Sequence, residues 1–301
     1  MAAPRRLGFI GLGNIGGGVC ANLLADGHEV TALDLDPARL SAMVEAGARP
    51  GGSPAEVASA SELTFLSLPT PEVMAAVAEA WLDGAQPGNV LVDLTTNSPS
   101  TVREVGRRLE GAGVRMVEAP LTGGAIGARH RKLVFITGGD RDLVEEVTPL
   151  LDSIGRATFY MGPLGSGNVA KLVNSLMAFT TMWVSLEGLA LGAANGLDLR
   201  NLLEMVRTSG GANSYLAQRV EEISERGRHP DFAMRLAAKD AGLMLEAGRE
   251  ASVPMPVASA IHQMLVYATS QGLGDRDISD LVEVMERAAG LRIELGPAET
   301  S

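Results

Sequence analysis

The sequence predicts an α/β chain in which a doubly wound, mainly parallel sheet is followed by an all-α C-terminal domain. Short β-rich runs alternate with helical stretches through about residue 162. After Gly162-Pro163-Leu164-Gly165 the β signal stops, and apolar residues recur with helical spacing to about residue 291.

The first run, 7–10, leads into Gly11-Leu12-Gly13-Asn14-Ile15-Gly16, and the second, 30–33, ends on the carboxylate of Asp34. A strand, a glycine-rich turn, a helix and an acid at the end of the next strand are the parts of a Rossmann-type dinucleotide site. Gly11 permits the sharp turn, Gly13 removes a Cβ where a pyrophosphate must approach, and Gly16 lets the helix pack on the strand. The anion then meets a helix N-terminus, whose unpaired N–H groups and dipole favour negative charge. Asp34 can accept hydrogen bonds from the adenosine ribose and repels a 2′-phosphate. Leu35 and Asp36 follow it, so no arginine stands beside it in sequence, and NAD is expected rather than NADP.

Runs at 63–68, 90–93, 114–118, 133–137 and 158–161 supply further strands. Helices are expected at 37–46, closed by Gly47, and at 98–109, closed by Gly111 and Gly113. Ligands of such sheets bind beyond the carboxyl ends of the strands, which singles out three loops. Leu68-Pro69-Thr70-Pro71 would pass over the adenosine or ribose. Asp93-Leu94-Thr95-Thr96-Asn97-Ser98-Pro99 brings hydroxyls near the nicotinamide end, although Ser98-Pro99 is also an ordinary N-cap and N1 pair. Glu118-Ala119-Pro120-Leu121-Thr122-Gly123-Gly124 offers a hydroxyl and two glycine N–H groups, a small nest for a carboxylate.

From 166 to about 194 runs one weakly polar helix. Apolar on nearly every side, it should be buried under its own domain or against a partner chain. Lys171 lies one turn in, with Asn174 and Ser175 three and four residues later on the same face. A lysine on an apolar helix loses hydration, which favours its neutral form, and a neutral amine can exchange a proton with a hydroxyl or carbonyl. Lys239-Asp240, in a helical segment at 234–245, reads on its own as a solvated charge pair. The domains expected are a nucleotide-binding domain at 1–163, an all-α domain at 164–295 that begins with the long interdomain helix, and a tail at 296–301.

Composition narrows the possibilities. A length of 301 residues suits two domains, and a formal net charge of −11 argues against a nucleic-acid partner. Cys20, the single cysteine, excludes an intrachain disulfide and reads as a small buried hydrophobe. His28, His130, His229 and His262 share no ligand spacing, so no metal site is expected. The N-terminal residues run directly into the first strand, leaving no room for a signal peptide, and no apolar stretch reads as long enough to span a bilayer. A cytoplasmic location and no membrane partner are the expectation.

From 8 to about 291 these motifs, in this order, resemble the β-hydroxyacid dehydrogenase family, the 3-hydroxyisobutyrate dehydrogenase-like enzymes related to tartronate semialdehyde reductase and 6-phosphogluconate dehydrogenase. The resemblance implies that Gly11, Leu12, Gly13, Asn14, Ile15, Gly16, Asp34, Leu68 and Pro69 line the NAD site, with Thr96 at the nicotinamide half and Lys239 reaching the cofactor from the helical domain. It implies a catalytic Lys171 assisted by Asn174, a carboxylate-bearing substrate held by Thr122, Gly123 and Gly124 with Ser175 nearby, and a homodimer or homotetramer.

Three departures stand out. Ser175 replaces the usual Asn or Gln, which leaves Asn174 alone or the substrate held differently. Thr122 replaces Ser and adds a methyl group to the carboxylate pocket. Arg131-Lys132-Leu133 replaces Gly-Thr-Leu, within the basic run Arg129-His130-Arg131-Lys132, which reads as a solvated loop. The function expected is NAD-dependent oxidation of a small 3-hydroxyacid, or the reverse. The alternatives are a short-chain semialdehyde or glyoxylate reductase and a non-catalytic NAD-binding protein.

Overall fold

In a computed structural model that describes residues 5–295, the chain forms two compact units divided between Leu172 and Val173, inside a long helix. The division therefore falls within that helix, downstream of the 162–165 loop where the β signal stops. The expected tail at 296–301 lies outside the described residues.

In the first unit β1 (Arg6–Ile10), β2 (Glu29–Leu33), β3 (Arg49–Pro50), β4 (Leu63–Leu66), β5 (Val90–Asp93) and β6 (Arg115–Glu118) lie parallel in the order β3-β2-β1-β4-β5-β6. The strand order reverses between β1 and β4, the position at which doubly wound sheets open a crevice. Beyond β6, β8 (Leu133–Gly139) pairs antiparallel with β6 and with β7 (Leu121–Thr122), and parallel with β9 (Gly155–Tyr160). β3 and β7 have 2 residues each, too few to leave a periodic signal in sequence. The expected strand at 63–68 ends at Leu66, and β9 begins at Gly155 rather than 158 because pairing with β8 recruits residues with no β-rich pattern of their own.

Helices α1 (Gly16–Ala25), α2 (Pro37–Glu45), α3 (Pro54–Ala60), α4 (Pro71–Leu82), α5 (Pro99–Gly111), α6 (Gly124–Arg129) and α7 (Arg141–Ile154) complete this unit. The sheet is buried on both faces, as parallel sheets are. Leu7, Phe9, Val19, Leu23 and Val92 belong to one core, and Ile10, Leu66, Trp81 and Leu91 to the other. Cys20 is buried in the first of these cores, where burial pushes its thiol up to about 12.

Helix α8 (Ser166–Ala194) begins in the first unit and continues into the second. The second unit continues with α9 (Leu199–Arg207), α10 (Ser214–Gln218), α11 (Met234–Glu250), α12 (Pro256–Ala268) and α13 (Leu281–Ala289). Phe179 stacks on Phe232 at 6.1 Å, and buried Asp277 accepts the amides of Asp231 and Phe232 together with the guanidinium of Arg228. One face of α8 is buried (Leu172, Phe179, Met182, Leu186, Leu189), whereas Val173, Met177, Val184 and Leu191 are exposed. The expected burial under its own domain therefore holds for one face, and the exposed face is the one that expectation leaves for a partner chain. By length and composition α8 is also apolar enough to cross a bilayer, which corrects the expectation that no stretch would be.

Candidate functional site

Gly11 sits at φ +94°, and a Cβ there would lie 2.3 Å from the carbonyl oxygen of Ser67. The Leu12 amide donates to Asp34 Oδ2 at 2.5 Å and the Asp36 amide to Asp34 Oδ1 at 2.8 Å, so the acid at the end of β2 is tied to the glycine turn. Gly13 is open: among the described residues a Cβ there would approach only Arg39 Nη1, at 3.9 Å. At Gly16 a Cβ would lie 1.9 Å from the Gly11 carbonyl, so helix and turn are in backbone contact. Asn14 is exposed and Ile15 half-buried between them.

No side-chain cap occupies the start of α1, whereas α2, α3, α4 and α5 are capped by Asp36, Ser53, Thr70 and Ser98. An open glycine in front of a helix start without a side-chain cap fits a dinucleotide's phosphates. The structure corrects one inference: Arg39, on the first turn of α2, pairs with Asp36 at 3.4 Å and directs Nη1 toward Gly13, so an arginine does stand beside this site.

The loops after β4 and β5 are hydrogen-bonded to each other. The Leu68 amide donates to Thr95 Oγ1 at 3.1 Å, while Pro69 is exposed and Thr70 caps α4. Thr96 is half-buried beside the fully buried Asp93, whose carboxylate accepts the Thr95 amide at 3.0 Å and Asn97 Nδ2 at 2.5 Å. Burial pushes the Asp93 carboxyl up to about 7; repulsion from Glu118, its register partner on β6, adds to this, and hydrogen bonds from Thr95 and Asn97 oppose it.

After β6, half-buried Thr122 lies in β7, and Gly123 and Gly124 take positive φ of +122° and +63° in succession. The basic run is only partly the solvated loop expected. Arg129, His130 and Lys132 are exposed, but Arg131 donates to Asp26 Oδ2 at 2.7 Å, the Ser153 carbonyl at 2.6 Å and the Asn22 carbonyl at 3.1 Å.

The start of α8 is anchored in the sheet. Glu118 Oε1 accepts the amides of Gly165 and Gly167, and Oε2 accepts the Asn168 amide and Asn168 Nδ2. Asn168 Oδ1 in turn accepts the Asn97 amide at 2.7 Å. Lys171 is half-buried one turn later; Asn174 is exposed and Ser175 buried, so these two helix neighbours differ in environment. On α11, Lys239 Nζ lies 2.9 Å from Asp240 Oδ1 and Asp240 is buried, which corrects the solvated pair expected there. Sequence reasoning missed Thr95, Asn97 and Asn168 as individual residues. The signal that could have led to them is the pair of acids, Asp93 and Glu118, each ending a strand directly after apolar residues.

A parallel sheet with a reversal beside β1, a glycine turn and an acid at the end of β2 defines a dinucleotide-binding domain of the Rossmann class. Residues 6–162 match the NAD binding domain of 6-phosphogluconate dehydrogenase, and residues 165–285 match a family described as NAD-binding of NADP-dependent 3-hydroxyisobutyrate dehydrogenase. The chain is 33% identical over 295 residues to 2-(hydroxymethyl)glutarate dehydrogenase of Eubacterium barkeri, covering 97% of this chain and 98% of that one. It is 32% identical over 288 residues to L-threonate dehydrogenase of Cupriavidus necator, covering 93% and 96%. A 3-hydroxyisobutyrate dehydrogenase from Mycobacterium tuberculosis, solved with L-serine, superposes with a TM-score of 0.88 at 25% identity, covering 94% of this chain and 99% of that one. The chain belongs to the β-hydroxyacid dehydrogenase family. Its cofactor is a nicotinamide dinucleotide.

Proposed function

We propose that the protein oxidises a small 3-hydroxyacid to the 3-oxo acid, or runs the reverse reduction, with Lys171 exchanging the hydroxyl proton. The dinucleotide would be held by the turn from Gly11 to Gly16, by Asp34, and by the Leu68-Pro69 and Thr96 loops, with Lys239 as a further contact. When bound, the nicotinamide accepts or returns a hydride, and the protein supplies orientation and a proton route. Thr122 with the Gly123 and Gly124 amides would receive the substrate carboxylate, an anion suited to a nest of N–H groups. Lys171 would take the hydroxyl proton in oxidation as the neutral amine and return it in reduction as the ammonium. Asn174 orients substrate or lysine, and Ser175 stands by it. NAD is the proposed cofactor because Asp34 leaves a 2′-phosphate beside a carboxylate, and Arg39 tempers that preference.

One observation supports this most. The helix start that carries Lys171 is hydrogen-bonded to Glu118 at the carboxyl end of β6, and through Asn168 to the loop that carries Thr96. Lys171 and Thr96 thus belong to one frame at the ligand-binding edge of the sheet. The exposed stripe Val173, Met177, Val184 and Leu191 supports a homodimer or homotetramer as the working form.

The test is initial-rate reduction of NAD and of NADP with 3-hydroxyisobutyrate, 3-hydroxypropionate, L-serine, glycerate, threonate and 2-(hydroxymethyl)glutarate, for wild type and Lys171→Ala. Turnover of one acid, preferring NAD and falling about 10²- to 10⁴-fold in the variant while NADH still binds, is the expected result. Joint loss of turnover and NADH binding would make Lys171 a structural residue. Silence with every acid and with the corresponding semialdehydes, with NADH binding intact, would favour the non-catalytic alternative.

A further inference from the structure

We propose, on the reading of Lys171 as the proton-transfer residue, that Glu118 is its positioning residue, acting through the first turn of α8. Glu118 is fully buried at the end of β6. Its Oε1 accepts the Gly165 amide at 2.5 Å and the Gly167 amide at 2.9 Å, while Oε2 accepts the Asn168 amide at 3.0 Å and Asn168 Nδ2 at 2.6 Å. The other side-chain caps in this unit, Ser53, Thr70, Ser98 and Asp140 among them, come from the residue just before their own helix. The cap of α8 instead comes from a strand 47 to 50 residues earlier, so it fixes the helix to the sheet.

The surroundings are shaped for that carboxylate. A Cβ at Gly138 would lie 2.2 Å from Glu118 Oε1, and one at Gly167 3.1 Å from Glu118 Cδ. Burial pushes the Glu118 carboxyl above its ordinary value, and the surrounding N–H donors oppose that shift. Each of these four hydrogen-bond partners is a donor, the set that favours the anion.

Asn168 extends the constraint. Its Oδ1 receives the Asn97 amide at 2.7 Å, next to Thr96, and Asn97 Nδ2 donates to Asp93 at 2.5 Å. Lys171 follows Asn168 by three residues, on the same side of the helix. A shift of the first turn therefore carries the amine with it, and about 1 Å of misplacement at a reacting group can cost about 100-fold in rate.

The experiment is a double-mutant cycle in full-length protein: Glu118→Gln, Asn168→Ala, Lys171→Ala and Glu118→Gln/Lys171→Ala, with folding followed by thermal melting. Gln keeps the size of Glu but turns an NH₂ group toward N–H donors. Glu118→Gln is expected to lower kcat about 30-fold and Asn168→Ala about 10-fold, with KM for the dinucleotide within about twofold. In the Lys171→Ala background, Glu118→Gln should change the residual turnover by less than about twofold, because the group it positions is gone. Losses that multiply would overturn the positioning role and leave Lys171 in place. Wild-type turnover in Lys171→Ala would overturn the reading of Lys171 and the proposal with it. If Glu118→Gln does not fold, Asn168→Ala and its double variant carry the same comparison, and wild-type kcat in Asn168→Ala would overturn the proposal.

Discussion

The Leu12 amide donates to Asp34 Oδ2 at 2.5 Å, so the acid that closes β2 also holds the glycine turn in place. Asp34→Ala removes both the proposed ribose acceptor and this tie. Its kcat/KM with NAD should fall about 10- to 100-fold, and NADP, relieved of the carboxylate, should lose less. Arg39→Ala is expected to do the reverse, weakening NADP more than NAD, because its guanidinium is turned toward this end of the site. Steady-state kinetics with both cofactors decide the matter. An unchanged NAD-to-NADP ratio in Asp34→Ala would remove Asp34 from cofactor choice.

The glycines of the turn should separate folding from binding. Among the described residues a Cβ on Gly13 meets only Arg39 Nη1, at 3.9 Å, so Gly13→Ala should melt within about 2 °C of wild type while NADH affinity drops at least about 30-fold, because the methyl group would stand where the pyrophosphate is proposed to approach. A Cβ on Gly16 would lie 1.9 Å from the Gly11 carbonyl, so Gly16→Ala must shift backbone and should lose about 2 kcal/mol or more of stability. Melting curves and NADH fluorescence titration read the two effects. Wild-type NADH binding by Gly13→Ala would contradict the placement of the phosphates.

What the sequence made legible was local. The strand-turn-helix at Gly11 to Gly16 and the acid at 34 are a spacing pattern, and the strand-helix alternation is a periodicity, so both could be read along one segment at a time. What stayed hidden joins distant segments. Glu118 reaches Asn168 across 50 residues, and Arg131 reaches Asn22 across 109, and no periodicity records such pairings. Arg39 escaped because only three-dimensional turning of α2 brings it toward Gly13. The sequence also gave no sign that Asn174 and Ser175 would differ in burial, since neighbouring positions on a mostly apolar helix look equivalent until its packed face is known.

Arg131 offers a test of stability against recruitment. It holds a left-handed φ of +56° and joins Asp26, Ser153 and Asn22, and its hydrogen bond keeps the Asp26 carboxyl below its ordinary value. Arg131→Ala should cost about 1–2 kcal/mol, reduced by the partial exposure of the pair, and leave substrate KM unchanged. A raised KM for the hydroxyacid at unaltered stability would instead assign the basic run to substrate capture.

Asp93 predicts how stability depends on pH. Its carboxyl is pushed up to about 7, chiefly by burial, with Glu118 beside it on β6 and with Thr95 and Asn97 donating to it from its own loop. Its ordinary value is 3.8, so between about pH 4 and pH 7 the native protein keeps a proton that the unfolded chain releases. The native state then binds more protons than the unfolded state, so the Asp93 contribution to stability declines as pH rises through that window and levels off above it. Asp93→Asn has no such proton to lose. The variant is also accommodated, because buried Asn97 Oδ1 has no hydrogen-bond partner among the described residues and a rotated Asn97 amide can accept from the new NH₂ group. The melting temperature of Asp93→Asn relative to wild type should therefore rise by about 5 °C between pH 4.5 and pH 8. Titrating groups other than Glu118, which is coupled to Asp93, shift both proteins alike, so the difference isolates this buried pair. A difference that stays flat across the window would show that Asp93 titrates at its ordinary value.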